Sequence, residues 1–183
     1  MNPQKPHRTP QPTDRNETAS AMRDLAGGVA SKLEAAVTTS TEGFVKMAAI
    51  GDIYELEAAR IALQRASHQE VKDFAHRMVS DHTRTSEQLK STLAALGNPT
   101  VPPQQLDERH QTMLDDLNGA AQEDFDHRYI AQQKAAHAAA ITLFKTYRER
   151  GEAQPLREMC AQALPILENH LRMVEQMKDR VER

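Results

Sequence analysis

The side chains of this sequence that could hold a metal ion or move a proton are its eight histidines and a few carboxylates set among apolar residues. A helix turns by about 100° per residue, so the face that each residue occupies can be traced by hand. Glu55 falls within the stripe Phe44, Ala48, Gly51, Ala58, Ala62 and Ala66, whereas Glu57 points away from it. His82 falls within Val71, Phe74, Ala75, Met78, Leu89, Leu93 and Leu96. His137 shares a face with Tyr129, Ile130, Gln133, Ala136, Ala140, Phe144 and Tyr147, and Asp126 lies three turns earlier on that face. His170 lies among Leu156, Cys160, Ala163, Leu167 and Val174, and His110 sits beside Met113, Leu114 and Leu117. The remaining histidines (His7, His68, His76 and His127) read as tail, helix-end or outward positions. Imidazole and carboxylate together suit iron, manganese, zinc or copper, and bundle cores build such sites from facing helices. A buried glutamate is costly on its own, so Glu55 must be paired, metal-bound or protonated.

These residues need elements to position them, and the elements are helical. Thr39, Ser40 and Thr41 offer N-caps to a helix running from about Thr41 to Ser67. A second helix runs from His68 or Gln69 to Leu96 and stops at Gly97, ahead of Pro99, Pro102 and Pro103. A short helix covers about Asp107 to Asn118. A third long helix runs from about Ala120 to Arg150. The fourth starts at Pro155, a favoured first-turn residue, and should kink at Pro165. No segment alternates as a strand would. The expected fold is all-α, a four-helix bundle with a short extra helix between its second and third long helices. Glu55, His82, His137 and His170 each lie near the midpoint of their own helix. Midpoints of near-equal helices share a level, so the four side chains should meet in one buried layer, as metal ligands or their neighbours. Asp81 and Tyr129 would support them, while His110 and Asp126 would cap the loop end of the bundle. The competing reading of the same layer is a hydrogen-bond network that only fixes helix pairing.

Composition narrows the alternatives. The chain has 183 residues, with 23 Lys and Arg against 26 Asp and Glu, a net charge of −3. That balance offers no basic face for nucleic acid or for a membrane surface. One cysteine, Cys160, rules out an internal disulfide framework or a cysteine zinc cluster and reads as a core thiol. Aromatics are 4% and glycine only 7 residues, a mixture that favours helix. No run approaches the roughly 18–20 apolar residues of a membrane span. The opening MNPQKPHRTPQPTDRNET lacks the apolar centre of a secretory signal, so the expected location is cytoplasmic. Residues 1–20, with Pro3, Pro6, Pro10 and Pro12, read as a disordered tail. Residues 21–40 read as a short helix or linker, with Met22, Leu25, Val29, Leu33 and Val37 at helical spacing around Gly27-Gly28. The bundle domain is then 41–183, and residues 1–40 are the segment for a protein partner, with self-association open. A phosphate loop and a serine nucleophile elbow are missing. The Glu-x-x-His pair of di-iron bundles is absent from the long helices, its nearest form being Asp107-Glu-Arg-His110. This argues against an oxidase and leaves enzymatic activity open.

The motifs Phe44–Glu55 (FVKMAAIGDIYE), Val71–His82 (VKDFAHRMVSDH), Phe125–Tyr129 (FDHRY) and Leu164–Leu171 (LPILENHL) follow one another in an order that resembles a bacterial ferritin-like family, domain of unknown function 4142. The resemblance spans about residues 41–176. It implies a ferritin-like bundle and a pattern at Glu55, Asp81-His82, His110, Phe125-Asp126, Tyr129, His137 and His170. It implies no established activity; a stress or metal-handling role is the expectation that goes with the layer. Many members look exported or are labelled outer-membrane proteins, which makes the periplasm the alternative location.

Overall fold

A computed structural model describes residues 34–36 and 38–181. All regular structure among the described residues is helical. The long helices are α1 (Thr41–Arg65), α2 (Gln69–Ala95), α4 (Phe125–Arg150) and α5 (Gln154–Val181), and the short α3 (Glu108–Asn118) lies between α2 and α4. The tail, residues 1–20, and residues 21–33 of the segment after it lie outside the described residues. Residues 34–36 are helical, and Ala35 is fully buried.

Local chemistry sets the helix ends. The Ser40 hydroxyl accepts the Gly43 N–H at 3.2 Å and opens α1. Asp107 Oδ1 accepts the His110 N–H at 2.8 Å and opens α3. At the end of α2 the Asn98 N–H reaches Leu93 O and the Gly97 N–H reaches Ala94 O. That pair of bonds needs a left-handed residue, and Gly97 has φ 60°. α5 runs on through Pro165, which is exposed, so the ring faces water rather than the core. One boundary differs from the sequence expectation. α4 starts at Phe125 rather than near Ala120, because the Arg65 guanidinium takes the carbonyls of Leu117, Asn118 and Ala120 and holds that stretch as a turn.

Three-residue links make hairpins of α1 with α2 and of α4 with α5. α1 also packs on α4, and α2 on α5, so the ring order is α1, α2, α5, α4. The amino half of α1 (Phe44 to Ala49) meets the carboxyl half of α4 (Ile141 to Tyr147), so these two run antiparallel. It follows that α2 and α4, on the diagonal, run parallel. The chain between them must travel the length of the bundle, and α3 is part of that crossover. Two apolar clusters fill the interior. One gathers Phe44, Leu89, Phe144, Tyr147, Leu156 and Leu164, the other Tyr54, Phe74, Met78, Leu117, Tyr129 and Val174. Between them the four long helices contribute a polar layer. None of the helices among the described residues is long and apolar enough to cross a membrane.

Candidate metal centre

The layer is built from one histidine on each of α2, α4 and α5. His82, His137 and His170 are 4%, 1% and 1% exposed, and their ring centroids are 5.3–5.8 Å apart. Each is placed by the apolar stripe it interrupts: burying that stripe carries the imidazole inward with it. Phe74 closes the layer on one side, edge-on to His137 and His170 at 6.2 and 6.3 Å.

Every imidazole uses one nitrogen on an oxygen acceptor at the periphery. His82 Nδ1 is 2.8 Å from Asp52 Oδ1. His137 Nδ1 is 2.9 Å from the Gln133 carbonyl. His170 Nε2 is 2.9 Å from Asp81 Oδ2. A neutral imidazole has one N–H, and these acceptors claim it in each case. The tautomers follow, and the remaining nitrogens, His82 Nε2, His137 Nε2 and His170 Nδ1, carry lone pairs. His137 Nε2 and His170 Nδ1 are 3.3 Å apart with no proton left to place between them. His82 Nε2 is buried without any partner. One nitrogen from each ring lies within 4.8 Å of the other two. Ligands at ~2.0–2.1 Å tetrahedrally around one ion stand about 3.4 Å apart, and one pair already has that spacing. Three converging lone pairs in an apolar surround repel unless a cation sits among them, and a proton or a metal ion would serve.

The acceptors are themselves held. Asp52, 5% exposed, takes the Ser86 hydroxyl on its second oxygen at 3.0 Å. Asp81 takes Arg84 at 2.8 Å. Glu55 does not face the lone pairs. Its Oε2 accepts Gln133 Nε2 at 2.6 Å, and its Oε1 stands 3.6 Å from His137 Nδ1, on the peripheral side of that ring. Burial pushes the Glu55 carboxyl up to about 7, against the pull of His82. Burial and the neighbouring His82 and His170 charges hold His137 well below the ordinary histidine range. Burial brings His170 down to about 4, even though Asp81 opposes the shift. His82 goes the other way: burial works against its charge, but the Asp52 bond and the surrounding carboxylates raise it. Among the three rings, His82 is therefore the one that holds a proton most readily.

The other residues singled out in the sequence sit elsewhere. Asp126 is buried at one end of the bundle, where it accepts the Ser67 and His68 N–H groups at 2.8–3.2 Å and pins the α1–α2 turn. His110 Nδ1 is 2.6 Å from its own N-cap, Asp107, and burial lowers its affinity for a proton. Tyr129 is fully buried with an unpartnered hydroxyl, and burial, helped by Glu55, pushes its pKa well above the usual phenol value. Cys160 is a buried thiol pushed by burial to about 12. Sequence reasoning missed two members of the layer. Asp52 lies one turn before Glu55 on the same side of α1, a spacing that could have revealed it. Gln133 was visible on the His137 face, but only as packing.

A family model described as Domain of unknown function (DUF4142) matches residues 27–177. Two solved structures share the fold. A DUF305 fragment from Deinococcus radiodurans is 15% identical with a TM-score of 0.66, covering 76% of this chain and 95% of that one. A structure described as CopM in the Cu(II)-bound form is 20% identical with a TM-score of 0.66, covering 79% of this chain and 99% of that one. At these identities the likeness is one of fold. No curated protein matches the chain.

Proposed function

The chain belongs to the DUF4142 family, whose function is unknown, and on that premise we propose that it binds one transition-metal ion between His82, His137 and His170 as part of metal handling. The observation that carries this reading is the pattern of nitrogens. Each ring gives one nitrogen to a peripheral oxygen and turns the other toward its two neighbours. Metal-bound histidines are held in this way, with a carboxylate or carbonyl on the far nitrogen fixing tautomer and orientation. Asp52, Asp81 and the Gln133 carbonyl would be those partners, and Glu55 would stand behind His137.

The donor set favours copper, then zinc. All three inward atoms are imidazole nitrogens, and the carboxylates are held at the periphery. Manganese prefers oxygen donors, and copper heads the affinity order for nitrogen sites. A fold neighbour described in a Cu(II)-bound form supports the same choice. The test is metal content by mass spectrometry, after the full-length protein is incubated with Cu, Zn, Fe or Mn and desalted. About one equivalent of copper, lost in His82→Ala while the helical circular dichroism persists, is the expected result. No retained metal from any of the four would mean that a proton, held mainly on His82, joins the three rings. The layer would then serve only to fix helix pairing.

A further inference from the structure

Gly51 lies half-buried in the middle of α1, one turn from the buried Ala48 and Glu55, where alanine would favour the helix more. A Cβ built there would meet nothing within 4 Å. Close packing therefore does not require the glycine. The space in front of it is a cavity of about 190 Å³ bounded by α1, α4, the start of α3 and Glu34. Met47, Ile50, Leu143 and Phe144 give it an apolar wall, Lys46, Asp107 and Arg109 bring charge to other parts of its lining, and it reaches His82 and His137. Two residues of its lining carry buried nitrogens without partners, His82 at Nε2 and Arg109 at Nε. An apolar cavity of about 150 Å³ is large enough to take up benzene. Met47, Gly51, Ala136 and Ala140 on its rim are only half-buried, so the cavity opens to the surface, and an accessible space of this size beside unsatisfied nitrogens is a feature to be explained.

We propose that this cavity is a binding pocket for a small aromatic molecule bearing one oxygen donor, a phenol in chemical class, whose ring lies against the apolar walls and whose oxygen meets the metal held by the histidines. This rests on the reading of the layer as a metal site for its oxygen contact, but not for the pocket itself. Gly51 is the residue that keeps the ring's space free. The missing fourth ligand is consistent with it: three imidazoles leave at least one position on a four-coordinate copper or zinc ion to be filled from outside the chain.

The probe is 4-fluorophenol, followed by ¹⁹F NMR with the full-length protein, first metal-free and then loaded with Cu(II). The metal-free protein is expected to bind it saturably at one site, and Gly51→Leu, which fills the void and favours helix, to weaken that binding at least tenfold. Ala140→Leu, on the α4 side of the same cavity, is expected to do likewise. Loading with Cu(II) is expected to tighten binding tenfold or more and to add a phenolate-to-copper absorption band. Saturable binding that Gly51→Leu weakens, in a protein that retains no copper, would support the pocket while the metal reading fails. Absence of saturable binding, or binding that neither substitution changes, would overturn the pocket even if copper is retained. Copper retention with no tightening and no new band would overturn the contact between oxygen and metal.

Discussion

Two parts of this molecule bury carboxylates to the same depth and use them differently. Asp126 is 4% exposed, as Glu55 is, and Asp52 is 5% exposed. Around Asp126 the partners are backbone N–H groups of Ser67 and His68, and between them they engage both of its oxygens. The group is a pin: a buried charge matched by donors, tying a turn to the start of α4. In the mid-bundle layer the carboxylates are matched just as well, but they satisfy only the peripheral side of the histidines. The inward nitrogens remain unmatched. Burial alone therefore does not separate a structural polar group from a candidate ligand. What separates them is whether the hydrogen-bond inventory closes.

The sharpest way to break this comparison is to remove one member from each region. His137→Ala should abolish metal retention outright, as read by metal content after desalting. Asp126→Ala should keep full metal content yet cost about 1–3 kcal/mol in chemical denaturation, because it removes the charged acceptor of two turn N–H groups. Metal loss in Asp126→Ala with a folded bundle would erase the distinction between the two regions. Next in size is Asp52→Ala, which removes the acceptor of His82 and leaves all three rings. Copper affinity in a competitive titration should fall about 10–100-fold. An unchanged affinity would make Asp52 a mere helix-pairing group.

The third expectation concerns pH. Protons and metal compete for the inward nitrogens. His82 holds its proton more readily than an ordinary histidine, while His170 stays neutral down to about 4 and His137 is also depressed. Where His82 is protonated and the other two rings are neutral, one proton is displaced per ion, and affinity should fall about tenfold for each pH unit lowered. A slope of zero, or of three protons, would contradict the asymmetry among the rings. The metal-free fold has its own pH dependence. The depressed His170 contributes stability above the unfolded histidine value of 6.5 that is lost as pH falls through about 4, and the depressed His137 acts in the same direction. Glu55 has the opposite sign: its contribution is present below 4.5 and lost as pH rises through about 7. The smallest effect belongs to Glu57→Gln. This residue pairs with Arg60 at the surface, so metal content should be unchanged and stability should stay within about 0.5 kcal/mol of the parent.

Much of the architecture was legible before any coordinates. Apolar residues at three- and four-residue spacing are a direct consequence of helical geometry, and glycine, proline and capping residues mark where the pattern stops. Ser40, Gly97 and Asp107 act at the expected places. The boundary at Phe125 was missed because Arg65, sixty residues earlier in the chain, sets it through carbonyls that periodicity cannot see. The layer was legible for a related reason: four polar residues at the midpoints of four apolar stripes must be carried inward together. Which nitrogen of each ring turns inward was not legible, since it depends on χ angles and on acceptors supplied by other helices. That is how Asp52 and Gln133 escaped notice and how Glu55 came to stand behind His137.

The sequence by itself determined the helices, their buried faces and the level at which the polar residues meet, because each of these depends only on spacing along one chain segment. The tertiary structure decided the rest. It made the link from α2 to α4 a crossover, since which helices are neighbours depends on how four stripes close around one core. It also oriented the three imidazoles, because a ring's orientation is set by partners that the fold brings from distant positions.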